Sequence, residues 1–265
     1  IKAAEVIMNS GKFSLVSDYR SLFTSDALQK DEVILGAATS STVMGSQNSK
    51  YNNGNQRSFV RPFINTFLMK DGSRFTDIPG WQTMTFDQEC ENRDPRLAQT
   101  IRTPGYSWQS GKQDGPELAY CQTGFHTIKY VQSYESKCYS TDNSTNDMPV
   151  YRYAELLLNY AEAKAELGTI TQDDIDKTVN QIRKRVAMPG LKLAGLTSDP
   201  YLLSEETGYP NVKGHPQEAI ILELRRERAI ELFQEGYGRY FDLIRWKAGY
   251  CLNSKCKIIC CMLCC

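Results

Sequence analysis

The chain has 265 residues with 31 basic and 31 acidic side chains, so its formal net charge is zero. That balance argues against non-specific nucleic-acid binding, which needs a basic excess to displace counterions from phosphates. Hydrophobic residues make up 41% and charged residues 23%, a globular composition, and the longest apolar run, 258–265, is far short of the ~20 residues that span a bilayer. No transmembrane helix is expected.

In chain order, the start Ile1-Lys-Ala-Ala-Glu5 does not resemble a signal peptide. It reads as the middle of a helix, so further sequence is expected upstream. That helix should stop at Asn9-Ser10-Gly11, with Gly11 as the left-handed terminator. Residues 1–148 are rich in Gly, Asn, Ser, Thr and aromatics, which predicts loops, short helices and a few strands laid over a scaffold. Residues 46–55 (SQNSKYNNGN) read as a polar, turn-forming loop.

Residues 149–250 read as mostly helical. Over 151–167, Ala154, Leu157, Leu158, Ala161 and Ala165 form a buried stripe, while Glu155, Asn159, Glu162 and Glu166 share another face. Gly168 ends this helix, and Thr171-Gln-Asp-Asp174 is a capping box that opens the next. The second helix carries Ile175, Val179, Ile182 and Val186 on one side and stops before Pro189-Gly190, giving an αα-hairpin of tetratricopeptide type. A long loop follows to about His215. A long helix then runs from Pro216 to Glu235, Gly236-Tyr-Gly238 breaks it, and 239–247 resumes as an aromatic amphipathic helix.

The chemistry is sparse. Two histidines, His126 and His215, leave little room for a nucleophile–base pair, and no phosphate-loop or nucleophile-elbow motif occurs. The glutamate face at 155, 162 and 166 lacks the Glu-x-x-His partners of a di-metal bundle. It reads as a solvated or ion-paired face, with one of these glutamates expected to pair with Arg225, Arg226 or Arg228. No catalytic residue, metal ligand or cofactor is assigned.

Loop aromatics are more telling. Tyr51, Trp81, Tyr106 and Trp108 sit among Gly, Pro, Asn, Gln and Ser. An aromatic ring can stack on the C–H face of a sugar while neighbouring amides take its hydroxyls. Pro104-Gly-Tyr-Ser-Trp-Gln109 is the best candidate, which adds Gln109; the plain alternative is that each ring only plugs its loop onto the scaffold. Six of the nine cysteines fall in 251–265, where Cys261-x-x-Cys264 is a lone knuckle without the second that zinc sites use. The fourth residue from the end is Met262, so the tail is not a prenylation box either, and it reads as a shifted or prematurely ended reading frame.

Several segments together resemble the SusD/RagB family of surface glycan-binding lipoproteins. Ala3-Ala-Glu-Val-Ile7 with Ser10-Gly-Lys-Phe-Ser-Leu-Val16 and Tyr19-Arg-Ser-Leu-Phe23 is similar to its "AA-x-x-V-I…SGKY-x-L" stretch, and Glu32-Val-Ile-Leu35 to the strand that follows. Asn92-Arg-Asp-Pro-Arg-Leu97 resembles "NRDPRL", and Thr123-Gly-Phe-His-Thr-Ile-Lys-Tyr130 resembles a "TGY…K" strand. The run from Tyr151 to Ala163 resembles "RYAE-x-LL-x-YAEA", and Asn180-Gln-Ile-Arg-Lys-Arg-Val186 resembles "N-x-IR-x-RA". Residues 223–246 resemble "ERR-x-EL-x-x-EG-x-R-x-x-DL-x-RW". The likeness covers about residues 1–248.

The resemblance implies a mainly α, SusD-like fold: tetratricopeptide-type hairpins, a loop-rich face and a few short strands. On that reading 1–148 holds the ligand-facing loops, 149–250 the helical scaffold and 251–265 an aberrant tail. It implies a non-catalytic, lipid-anchored protein at the outer-membrane surface that captures oligosaccharide and closes over a SusC-type TonB-dependent transporter. The anchor cysteine and an N-terminal half are expected outside this chain. The Arg/Glu-rich signatures at 223–246 are expected to be structural, as are Arg93, Asp94 and Arg96, fixing a turn before a strand at 97–101. Rival readings are a protein-interaction scaffold without sugar binding, a surface glycosidase using two carboxylates, and an incomplete, non-functional fragment.

Overall fold

The computed structural model describes residues 1–40, 45–54, 58–109, 112–137, 144–205, 208–236 and 238–248. The expectations for the cysteine-rich tail lie outside them. Along the described chain run α1 (Lys2–Asn9), α2 (Ser21–Thr24), β1 (Val33–Ala37), α3 (Asn48–Gly54), α4 (Arg61–Ile64), α5 (Phe86–Cys90) and α6 (Pro95–Thr100). Then follow β2 (Met148–Arg152), α7 (Tyr153–Glu166), α8 (Gln172–Lys177), α9 (Val179–Arg185), α10 (Glu218–Glu231) and α11 (Gly238–Arg245). The fold is mainly α, and no described helix is long and apolar enough to cross a membrane.

Local signals place many boundaries. Gly11 closes α1 at φ +64° and Gly168 closes α7 at φ +66°, a left-handed turn that costs glycine little. The Thr171 hydroxyl accepts from the Asp174 amide while the Asp174 carboxylate accepts from the Thr171 amide, so the expected capping box opens α8. The expected strand near 32–35 is β1. It pairs antiparallel with β2, Val33 opposite Arg152 and Ala37 opposite Met148, with irregular register between.

Five expectations are corrected. The polar stretch 46–55 contains helix α3, whose Ser49 and Asn52 are buried. The Ser49 amide donates to the Ser144 hydroxyl and the Ser49 hydroxyl to the Tyr130 carbonyl, so distant partners outweigh local turn preference. Residues 97–101 do not form a strand: Asp94 accepts from the Arg96 amide as an N-cap and Pro95 starts α6. Residues 123–130 make only isolated bridges, Ser58 to His126 and Ile101 to Thr127. The second helix of the hairpin is two, broken at Thr178 (φ −124°, ψ −92°), and the long helix starts at Glu218 and ends at Glu231.

The helical core forms where α7 packs against α10, α1 and α9. Ala154, Leu157, Leu158, Ala161 and Ala165 are buried there with Ile175, Val179, Ile182, Ile221 and Leu224. Each fully buried aliphatic chain contributes roughly 1.5–3 kcal/mol. A second cluster stacks Phe63 on Phe233 at 5.0 Å and sets Phe59 edge-on to Phe233 at 4.2 Å.

Between these clusters lies a buried ion network. Arg96 reaches Asp94 (2.7 Å), Glu227 (2.7 Å) and Glu231 (3.1 Å). Arg152 reaches Glu32 (2.8 Å), Glu231 (2.6 Å) and Glu235 (2.7 Å), and Arg185 pairs with Glu32 and Glu231. Burial alone would raise the Glu231 pKa, but Arg185, Arg152 and Arg96 hold that carboxyl far below the usual range. Glu227, Glu231 and Glu235 of the 223–246 signatures, and Arg96 with Asp94, are therefore structural, as expected from the sequence. Arg93 is also buried and caps the carbonyls of Ile64, Phe67 and Glu89. The predicted glutamate–arginine pairing is present: Arg228 lies 3.4 Å from Glu155, and Arg225 lies 3.9 Å from Glu166.

Candidate functional site

After α6 the described residues 102–109 and 112–117 belong to a loop segment, and buried polar groups at both ends tie it down. Arg102 donates through Nη1 to the Gly115 carbonyl (3.1 Å) and through Nη2 to Asn53 Oδ1 on α3 (2.6 Å). Its guanidinium carbon also lies 5.7 Å from the Tyr106 ring centre. The Asp114 amide donates to the Tyr106 carbonyl (2.9 Å), and the Trp108 amide donates to the Asp114 carboxylate (3.0 Å). These bonds tie Tyr106 and Trp108 to Asp114.

His126 secures the far end of the loop. Its Nδ1 accepts from the Glu117 amide (3.3 Å), which leaves Nε2 to donate to the Asn53 carbonyl (3.1 Å). Burial first, then the nearby Arg102 charge, pull its pKa down to about 4, against the opposing backbone bonds of Asn53 and Asn52. The imidazole is thus neutral at pH 7 and held in one tautomer.

Trp108 is half-buried and fixed at its polar edge. Its Nε1 donates to the Gln132 carbonyl (2.9 Å) and its ring meets Tyr134 edge-on at 5.2 Å. Gln132 is itself fastened, its amide donating to Asp26 (2.7 Å) and its backbone N–H to Ser49 on α3. Tyr106 is half-buried; burial pushes its pKa up, against the lowering charges of Arg20 and Arg102. Gln109 is exposed beside them, and Tyr51 is half-buried on the same short helix as Asn53. The arrangement presents held aromatic surface with amides at its margin.

Trp81 does not join this group. It follows Gly80 in a short 3₁₀ turn and packs edge-on against Phe75 (5.9 Å) and Tyr201 (5.8 Å). Its contacts fit the loop-plug reading, and they connect it to the 199–204 segment rather than to 106–109. The sequence reading missed Asn53, Arg102, Asp114, His126 and Gln132, which position the loop. Their partners lie 6 to 73 residues away, and no local pattern announces such pairings. Among the described residues no group of three or more His, Cys, Asp or Glu could hold a metal ion.

Comparisons with known proteins bear on the fold and the family. No curated protein matches the chain. A SusD-like carbohydrate-binding protein from Bacteroides fragilis is similar in structure over 95% of this chain, with a TM-score of 0.69 and 25% identity. A second SusD-like protein from the same organism has a TM-score of 0.64 at 22% identity over 94% of this chain. Surface glycan-binding protein A from Bacteroides fluxus shares the fold, with a TM-score of 0.58 at 18% identity over 96% of this chain. The chain spans about half the length of these structures, covering 49%, 52% and 49% of them. The SusD family profile matches residues 20–257, and the chain belongs to the SusD family.

Proposed function

We propose that this chain is part of a non-catalytic cell-surface protein that captures oligosaccharide nutrients and delivers them to a SusC-type TonB-dependent transporter. Tyr106, Trp108 and Gln109 are the ligand-facing residues of this reading, with Tyr51 at the margin, while Trp81, packed on Phe75 and Tyr201, stands apart from them. Family membership and the likeness to a carbohydrate-binding relative support it. The observation that carries it is the fastening of the 102–117 loop. Arg102, Asp114 and His126 hold two half-buried rings in fixed positions, and rings held in advance lose little conformational freedom when a sugar stacks on them. Capture needs no reacting group, only area and placed donors. The rest of the protein would carry the lipid anchor that keeps it at the outer-membrane surface.

The test is retention of soluble glycans on the wild-type protein and on Trp108→Ala and Tyr106→Ala. Loss of retention of about tenfold or more, with unchanged circular dichroism, supports capture at this loop. Undiminished retention in both variants removes it. Release of reducing sugar by pure protein would contradict the non-catalytic part.

A further inference from the structure

A separate cleft lies beside α7, α10 and α11 and shares no residue with the 102–117 loop. Glu162, Glu166, Arg225, Arg245, Trp246 and Lys247 are among the residues lining this open cleft of ≈ 580 Å³, within the size range of small-ligand sites. Arg225 is the unusual member. Its side chain is only 6% exposed, yet its Nε has no hydrogen-bond partner among the described residues. Its other contacts are weak: Nη1 lies 3.5 Å from Asn211 Oδ1, and Nη2 lies 3.9 Å from the half-exposed Glu166 carboxylate. The guanidinium instead packs on the rings of Trp246 (4.7 Å) and Tyr209 (5.6 Å).

The nearest buried carboxylate is already committed. Glu162 accepts from both terminal nitrogens of Arg245 and from Trp246 Nε1 (2.5 Å). Asp242 is taken in the same way, by Arg228 (2.7 Å) and Arg245 (2.8 Å). Elsewhere in this core each buried arginine of the ion network meets carboxylates at hydrogen-bond distance. A buried guanidinium without such a partner is costly, and a planar oxyanion matches its fork. Lys247, exposed on the same cleft, adds a second cation.

We propose that this cleft binds a small oxyanion, the carboxylate or sulfate ester of an acidic sugar, with Arg225 as its charged partner and Lys247 as a supporting one. The site is independent of the neutral-sugar stacking at Trp108. It is tested by calorimetric titration of the protein with glucuronate and with glucose 6-sulfate, using glucose as the neutral control. At least one acid binds saturably while glucose does not, and which acid binds tells carboxylate from sulfate. Arg225→Gln weakens that binding by about tenfold or more, the effect of a charge-assisted bond, and Lys247→Gln weakens it a few-fold. Because Arg225 lacks a firm structural partner, Arg225→Gln keeps the thermal midpoint within about 3 °C of wild type. Failure of both acids to bind overturns the proposal, as does binding that neither substitution weakens. Retention of neutral glycans by Arg225→Gln stays at the wild-type level, which separates this site from the loop.

Discussion

Helix α10 and the 102–117 loop both bury polar groups, but they do so by different means. In α10 eleven of fourteen residues are buried, among them Glu223, Arg225, Arg226, Glu227, Arg228 and Glu231. Charge there meets opposite charge from β2, α6 and α9 across the core. The loop uses mostly backbone carbonyls, one carboxylate and a neutral imidazole, and it leaves its two rings half-covered. The difference fits the role proposed for each region. A buried ion network fixes which elements meet, whereas the fastened loop keeps two rings partly uncovered, as the proposed capture requires.

The largest effect should come from breaking the network. Glu231→Ala leaves Arg96, Arg152 and Arg185 short of a carboxylate and is expected to cost about 3–5 kcal/mol, measured as a shift of the urea midpoint. A shift near zero would show that the network does not hold these elements together. Truncation of the apolar core by Leu157→Ala is expected to cost about 2–5 kcal/mol, because the alanine-lined helix cannot collapse fully into the space.

On the loop side the effect is smaller and depends on pH. His126 has a folded pKa of about 4 against an ordinary 6.5, so the unfolded chain takes up a proton first as pH falls. Its contribution is complete above about pH 6.5 and is lost progressively down to about pH 4. After allowance for solvent screening, the loss should be about 2 kcal/mol. His126→Gln removes that component, so the wild-type and variant stability curves should converge as pH falls from 7 to 4. Parallel curves would contradict the buried neutral imidazole. The smallest stability effect belongs to Gln109→Ala, within about 0.5 kcal/mol at an exposed position.

The same contrast explains what could be read from the sequence. The stripe Ala154–Leu157–Leu158–Ala161–Ala165 and the Thr171–Asp174 box are local patterns, and both appear in place. Helix α3 was hidden because its polar sequence favours turns while Ser144 and Tyr130, some 80–95 residues away, secure Ser49. At 94–95 the Asp-Pro pair is an N-cap signal that an expected strand obscured. In the candidate site the aromatics of 104–109 stood out by composition, but Trp81 shares that composition and packs elsewhere. Only the bonds of Arg102, Asp114 and His126, which no local pattern announces, separate a fastened loop from a plugged one.

The most direct test of glycan capture at this loop is a binding isotherm for a retained oligosaccharide on wild type, Trp108→Ala and Glu231→Gln. The account predicts that Trp108→Ala loses about tenfold or more in affinity while its urea midpoint moves little. Glu231→Gln, if folded, should keep its affinity and lose stability. An affinity that follows stability in all three proteins and is indifferent to the Trp108 ring would contradict it.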